Sequence, residues 1–153
     1  MATKSILHTI LDPVGFPPTP SEAHPKASKH RLPWQSLPKG ELIDITATGR
    51  LMGFTVPLLA TSAVFTDCVE WTIEDNRRRC YQNEAGRLWD LVFAASRAAQ
   101  RAAIDNLKST TFDLYRVPRS FHSLQSGIVT LCLILVQTVH EDRSVLIQFS
   151  GKR

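Results

Sequence analysis

The chain has 153 residues, 43% hydrophobic and 21% charged, with a formal charge of +4. That length and balance suit one globular domain with a continuous core, and exclude a low-complexity chain or a miniature fold held by disulfides. The charge is uneven: Lys4, Lys26, Lys29, Arg31 and Lys39 outweigh Asp12 and Glu22 within residues 1–40, while the remainder is nearly neutral. A basic tail attracts polyanions without making a footprint on a folded surface, so nucleic-acid binding is expected to be weak.

Residues 12–38 hold most of the nine prolines. Proline removes amide donors and fixes φ, so residues 1–38 read as a disordered leader that cannot sustain a helix or a paired strand. Trp34 within it reads as an ordinary loop aromatic. "SILHTIL" (5–11) is too short for a secretory h-region and runs into prolines. The odd set Cys68, Cys80 and Cys132 lacks CxxC spacing, and none of His8, His24, His30, His122 and His140 stands at ligand spacing. Reduced thiols in a cytoplasm, no metal and no cofactor are therefore expected, with Cys68 and Cys132 in the core and Cys80 exposed.

The domain, 39–153, opens with "ELIDIT", which alternates as a short strand does. "ATGRLMGF" allows a helical turn stopped at Gly53. "FTVPLL" is extended around Pro57, which suggests a strand at a sheet edge. From Thr61, Val64, Phe65, Cys68, Val69 and Thr72 form one helical stripe, with Asp67, Glu70 and Glu74 on the opposite side, a solvated face. Trp71 borders the stripe.

A second helix starts at the N-cap Asn83 and runs to about Leu107. Leu88, Val92, Ala95, Ala99 and Ala102 make its buried stripe. Arg87, Asp90, Arg97 and Arg101 share the outer face, and Trp89 and Phe93 point sideways. Three strands follow: "TFDLYRV" (111–117), "GIVTLCLILVQTV" (127–139) and "SVLIQF" (144–149). The middle one is too short to cross a bilayer as a helix, and its β-branched content predicts a central strand buried on both faces. "HEDR" joins it to the last strand as a hairpin. The fold class is α+β: two main helices on a small antiparallel sheet, made of a C-terminal three-strand meander and a short N-terminal strand.

The segment between the helices, "EDNRRRCYQN", is the most charged in the chain. Glu74 and Asp75 near a helix C-terminus oppose the macrodipole, and Arg77, Arg78 and Arg79 offset them. Over 67–90 acids outnumber arginines, which makes a poor phosphate clamp. Arg87 and Asp90 are i,i+3 neighbours that can pair. Trp71, Arg87, Trp89 and Asp90 are expected to form one cluster where the helices meet the sheet. Arg116 and Arg119 flank Pro118 at a strand end, where they could meet phosphates or pair with Asp90 or Glu84.

This stretch resembles a family of small bacterial proteins, a domain of unknown function met on plasmids, phages and other mobile elements. The resemblance rests on "AVFTDCVEW" (63–71), "DNRR" (75–78), "NEAGRLWDLV" (83–92) and "LYRVPR" (114–119), with looser matches at "GELIDIT" and "GFTVPLLAT". It covers roughly residues 40–119. Phe65 stands where the family pattern has tryptophan, and the proline-rich leader lies outside the pattern. The resemblance implies a cytoplasmic protein of bacterial or phage origin and carries over no activity.

The chain has no Gly-rich phosphate loop, HExxH, GxSxG or paired-cysteine motif. The leading expectation is a non-enzymatic accessory protein that binds another macromolecule, in the first place a protein, with blocking of a host defence as one version. Aromatic residues and arginine dominate interface energies, so the candidate binding residues are Trp71, Asp75, Arg87, Trp89, Asp90, Arg116 and Arg119. The alternatives are a small enzyme working through the carboxylates Asp67, Glu70, Asp75, Glu84 and Asp90, with or without a metal, or a weak DNA-binding protein. No membrane role is expected.

Overall fold

The computed structural model describes residues 28–30, 41–119, 126–137 and 142–151. In chain order these form β1 (Ser28–His30), β2 (Leu42–Asp44), α1 (Thr46–Leu51), β3 (Leu58–Thr61), α2 (Ser62–Cys68), α3 (Ile73–Arg78), α4 (Glu84–Ile104), β4 (Ser109–Arg116), β5 (Gly127–Gln137) and β6 (Arg143–Phe149). The protein is α+β, as the sequence suggests, but the sheet is larger than expected and mixed. Among the described residues it has six strands in the order β1-β2-β3-β6-β5-β4. The β4–β5–β6 meander is antiparallel, and β6 then returns to lie parallel to β3.

That return corrects the position expected for β3, which is an interior strand between β2 and β6. Pro57 does not force an edge because it stands just ahead of Leu58, where its carbonyl accepts from the Val145 amide at 2.8 Å. A proline needs no donor there. On the far side β2 pairs antiparallel with β1, matching Ser28 to Asp44 and His30 to Leu42. A short piece of the proline-rich leader is therefore a paired strand. The expectations for the rest of the leader, for Trp34 and for the turn at 138–141 lie outside the described residues.

The short α1 ends where Gly53 takes a positive φ of 91°. Gly49 lets α1 approach β3 closely, since a Cβ there would lie 3.1 Å from the Leu58 side chain. Two helices had been expected beyond β3, but the first of them is broken. α2 stops at Cys68, and Thr72 starts α3 with a capping box: its hydroxyl accepts from the Asp75 amide while the Asp75 carboxylate accepts from the Thr72 amide. Glu74 and Asp75 thus stand in a first turn, where the macrodipole favours anions, and Arg77 and Arg78 stand in the last turn of the same helix. The conflict read from the sequence does not arise.

α4 begins at the expected N-cap, with the Asn83 side chain accepting from the Gly86 amide at 2.6 Å. It ends in a Schellman motif: Leu107 donates to the Ala102 carbonyl at 2.8 Å, Asn106 donates to Ala103, and Asn106 takes the left-handed conformation at φ 55°. Leu88, Leu91, Val92, Ala95, Ala98, Ala99 and Ala102 are buried along its length. They meet Phe112, Leu114, Leu131, Leu133, Val145 and Ile147 from the sheet in the main core. The run of small residues lets the helix backbone approach the sheet closely.

β5 is an interior strand, as expected, but only its helix-side face carries fully buried residues. Leu131 and Leu133 face the core, while Ile128 and Thr130 on the other face are exposed and Cys132 is half-buried. Further along that second face, Leu42, Leu59 and Leu146 form a small buried cluster of their own with Val136 against it.

Candidate functional site: an arginine-centred elbow

The break between α2 and α3 brings Val69 to Thr72 around in a tight turn, and α4 starts directly behind it. Three arginines converge on this elbow, one from α4 and two from the end of β4. Arg87, in the first turn of α4, is the centre. It was expected on an outer face but is only 6% exposed. Its Nη1 donates to Gln82 Oε1 at 2.6 Å and to the Val117 carbonyl at 3.1 Å, and its Nη2 donates to the Asp67 carbonyl at 3.0 Å. The guanidinium lies over the Trp71 ring, 4.5 Å from its centroid. One side chain thus joins the end of α2, the start of α4 and the end of β4. A planar fork with five donors suits this, since it can bond three elements while stacking on a ring.

The buried Nε of Arg87 has no hydrogen-bond partner among the described residues. Burial lowers the pKa of the Arg87 guanidinium, and the charges of Arg116 and Arg119 act the same way against Asp67. The cost of burying this charge is offset by carbonyl acceptors and the π-face rather than by a carboxylate.

Trp71 is buried, and its indole N–H donates to Asn76 Oδ1 at 2.9 Å. The same oxygen accepts from the Gln82 amide at 2.8 Å. Asn76 therefore holds the loop after α3 to the tryptophan before it.

The two arginines after β4 take the acids. Arg116 Nε pairs with Asp67 Oδ2, and Arg119 pairs with Glu70 at 2.9 Å through Nη1 and with Asp75 at 3.1 Å through Nε. Burial works against ionisation of Asp75, but the bonds from Thr72 and the Arg119 charge outweigh it and hold the carboxyl below its ordinary range. Asp67 and Glu70, read from the sequence as a solvated face, are the partners of these pairs. Neither arginine pairs with Asp90 or Glu84.

A cleft of about 30 Å³ opens beside this cluster, lined by Cys68, Gln82, Arg87, Asp90, Leu114, Tyr115 and Arg116. Asp90 is exposed as a residue, but partial shielding of its carboxyl beside the cleft raises its pKa, with the Arg87 charge opposing it. The expected hydrogen bond between Arg87 and Asp90 is not made, because the Arg87 fork is turned toward Gln82, Val117 and Asp67. Burial, followed by the Asp67 charge, pushes the Cys68 thiol up to about 12, so it is not a nucleophile near neutral pH. Cys80 is exposed and Cys132 half-buried.

Of the sequence-predicted residues, Trp71, Asp75, Arg87, Arg116 and Arg119 meet in one network and Asp90 lines the cleft beside it. Trp89 stands apart. Two positions beyond Arg87 on a helix is roughly 200° around the axis, and its ring joins the main core. Sequence reasoning named Asp67 and Glu70 only as carboxylates of the enzyme alternative and on a solvated face, and it missed Asn76, Gln82 and the Val117 carbonyl. The T-x-x-D spacing of Thr72 and Asp75 was the available signal, since a capping box there ends any continuous helix through the acids.

Among the described residues no group of three or more His, Cys, Asp and Glu gathers to hold a metal, and no helix is long and apolar enough to cross a membrane. The fold and site define an α+β protein with an internally paired arginine cluster at the helix–sheet junction. Comparison with family models, with curated proteins and with solved structures finds no match to this chain.

Proposed function

We propose that this chain is a non-enzymatic accessory protein that binds another protein through the sheet face turned away from α4, at β4 and β5. The observation that carries the reading is an exposed apolar pair on that face. Tyr115 and Ile128 are cross-strand partners on the face opposite the buried Phe112, Leu114 and Leu131, and remain 68% and 58% exposed. Exposed aromatic and aliphatic side chains around a rigid support are what a protein partner buries for affinity. In this reading Arg87, Arg116, Arg119, Asp75 and Trp71 hold the surface in shape and contact the partner little. The resemblance to plasmid- and phage-borne proteins supports a cytoplasmic setting in mobile-element biology, with interference in a host defence as one version.

Asp90 favours a second reading, a small carboxylate-dependent enzyme, because a carboxyl with a raised pKa beside a cleft is a general-acid candidate. The size of the cleft weighs against it, since about 30 Å³ holds a few waters at most, well under the roughly 300 Å³ of a small-molecule pocket. DNA binding is weakened as an alternative because Arg116 and Arg119 are engaged by Asp67, Glu70 and Asp75.

The test is quantitative capture from a bacterial host with the tagged full chain and with a Tyr115→Ser/Ile128→Ser variant. One protein recovered near equimolar yield with the parent, and lost with an equally stable variant, is the expected result. Equal recovery with both chains, or recovery of nucleic acid alone, would contradict the reading.

A further inference from the structure

α1, α2 and α4 each bury residues. α3 buries none of its six, and Ile73 at its start is 74% exposed. The helix carries its own support in the Thr72–Asp75 capping box and the pairs from Glu74 to Arg77 and Arg78. Polar ties join it to the body. Arg119 reaches Asp75, and Asn76 accepts from the Trp71 indole and from the Gln82 amide. Directly before it, Val69 and Trp71 are buried; directly after it, Arg79 takes the irregular conformation φ −131°, ψ −102°.

We infer that α3 is a polar latch: it opens as a unit, hinged at Thr72 and Arg79, and uncovers the Trp71–Arg87 stack while α4 stays folded. The physical reason is the kind of tie. Partly exposed ion pairs and single hydrogen bonds each contribute little, and segments with few buried apolar contacts open at a small fraction of the global unfolding cost. Once released, six residues are too few to hold a helix in water, so the α3 amides lose their protection together. Asn76 is the catch, since the same oxygen holds the Trp71 ring and the backbone of Gln82. This inference concerns motion and stands independently of the binding role proposed above.

Hydrogen exchange on the full chain tests it without relying on a variant. Amides of residues 74–79 should exchange at least about a hundredfold faster than those of 88–102, and high salt should speed the former only. The Trp71 indole N–H and the Gln82 amide should exchange at the same rate as the α3 amides, because the opening that frees both from Asn76 also lets α3 melt. Arg119→Gln should speed α3 exchange roughly threefold to tenfold and leave α4 unchanged. Protection of α3 equal to that of α4, an indole rate unrelated to the α3 amides, or an Arg119→Gln effect spread equally over both helices would overturn it.

Discussion

Helix α4 and the elbow from Asp67 to Gln82 lie side by side, yet different physics holds them. α4 buries an apolar stripe from Leu88 to Ala102 against the sheet, so its position follows from a period visible within its own residues. The elbow is fixed by Arg116 and Arg119, which stand 44 to 49 residues beyond the acids they pair with. Arg87 links the two regions, leaving the helix at its first turn to bond the end of α2. The comparison teaches where sequence period stops being informative. A stripe predicts its own burial, whereas a charge predicts nothing until its distant partner is known.

Substitutions can break this comparison on either side. Leu91→Ala removes a side chain with no exposure from α4 and should cost about 3 kcal/mol, with no dependence on salt in urea unfolding. Arg116→Gln removes the Asp67 pair at the elbow and should cost about 1 kcal/mol, shrinking as salt is raised. A cost for Arg116→Gln that ignores salt would erase the proposed difference between the regions.

Smaller effects sharpen it. Asn106 holds the left-handed position that ends α4, so Asn106→Ala should lower stability by under about 1 kcal/mol, with Asn106→Gly restoring it.

The carboxylates give opposite signs of pH dependence. Asp75 has a lowered pKa, so its contribution is present above the unfolded carboxyl pKa and is lost as pH falls through the folded value. Asp90 has a raised pKa, so stability is lost as pH rises through its folded value. Asp90→Asn should therefore raise the melting temperature slightly at pH 7 and not in acid, while Asp75→Asn should lower it at pH 7 and flatten the acid limb. Equal shifts for both variants at both pH values would contradict the assignment.

How far the fold was legible follows the same division. The Asn83 cap, the α4 stripe, the Gly53 stop and the β5–β6 hairpin pairing all rest on local rules and are found in place. The interior position of β3 was not legible, because parallel pairing with β6 joins segments at opposite ends of the domain. β5 was read as buried on both faces from its composition, yet Ile128 and Thr130 show how little composition says about which face is covered.

At the site, a helical wheel placed Asp67, Glu70 and Arg87 toward water. The break at Thr72 and the arrival of Arg116 and Arg119 turned that side inward. Trp71 and Arg87 were legible as neighbours of the junction. Trp89, read as pointing sideways off the α4 stripe, is buried in the main core.

The central claim is that Arg87 is the structural link between elbow and core. Urea unfolding of Arg87→Ala at pH 7 tests it most directly, with Arg87→Lys as a companion. Loss of the guanidinium leaves the Asp67 and Val117 carbonyls and Gln82 without their donor. The account predicts a loss of about 3 kcal/mol, close to that of Leu91→Ala, with only partial recovery in Arg87→Lys because an ammonium cannot bond the three acceptors in one plane. An Arg87→Ala chain as stable as the parent would contradict it.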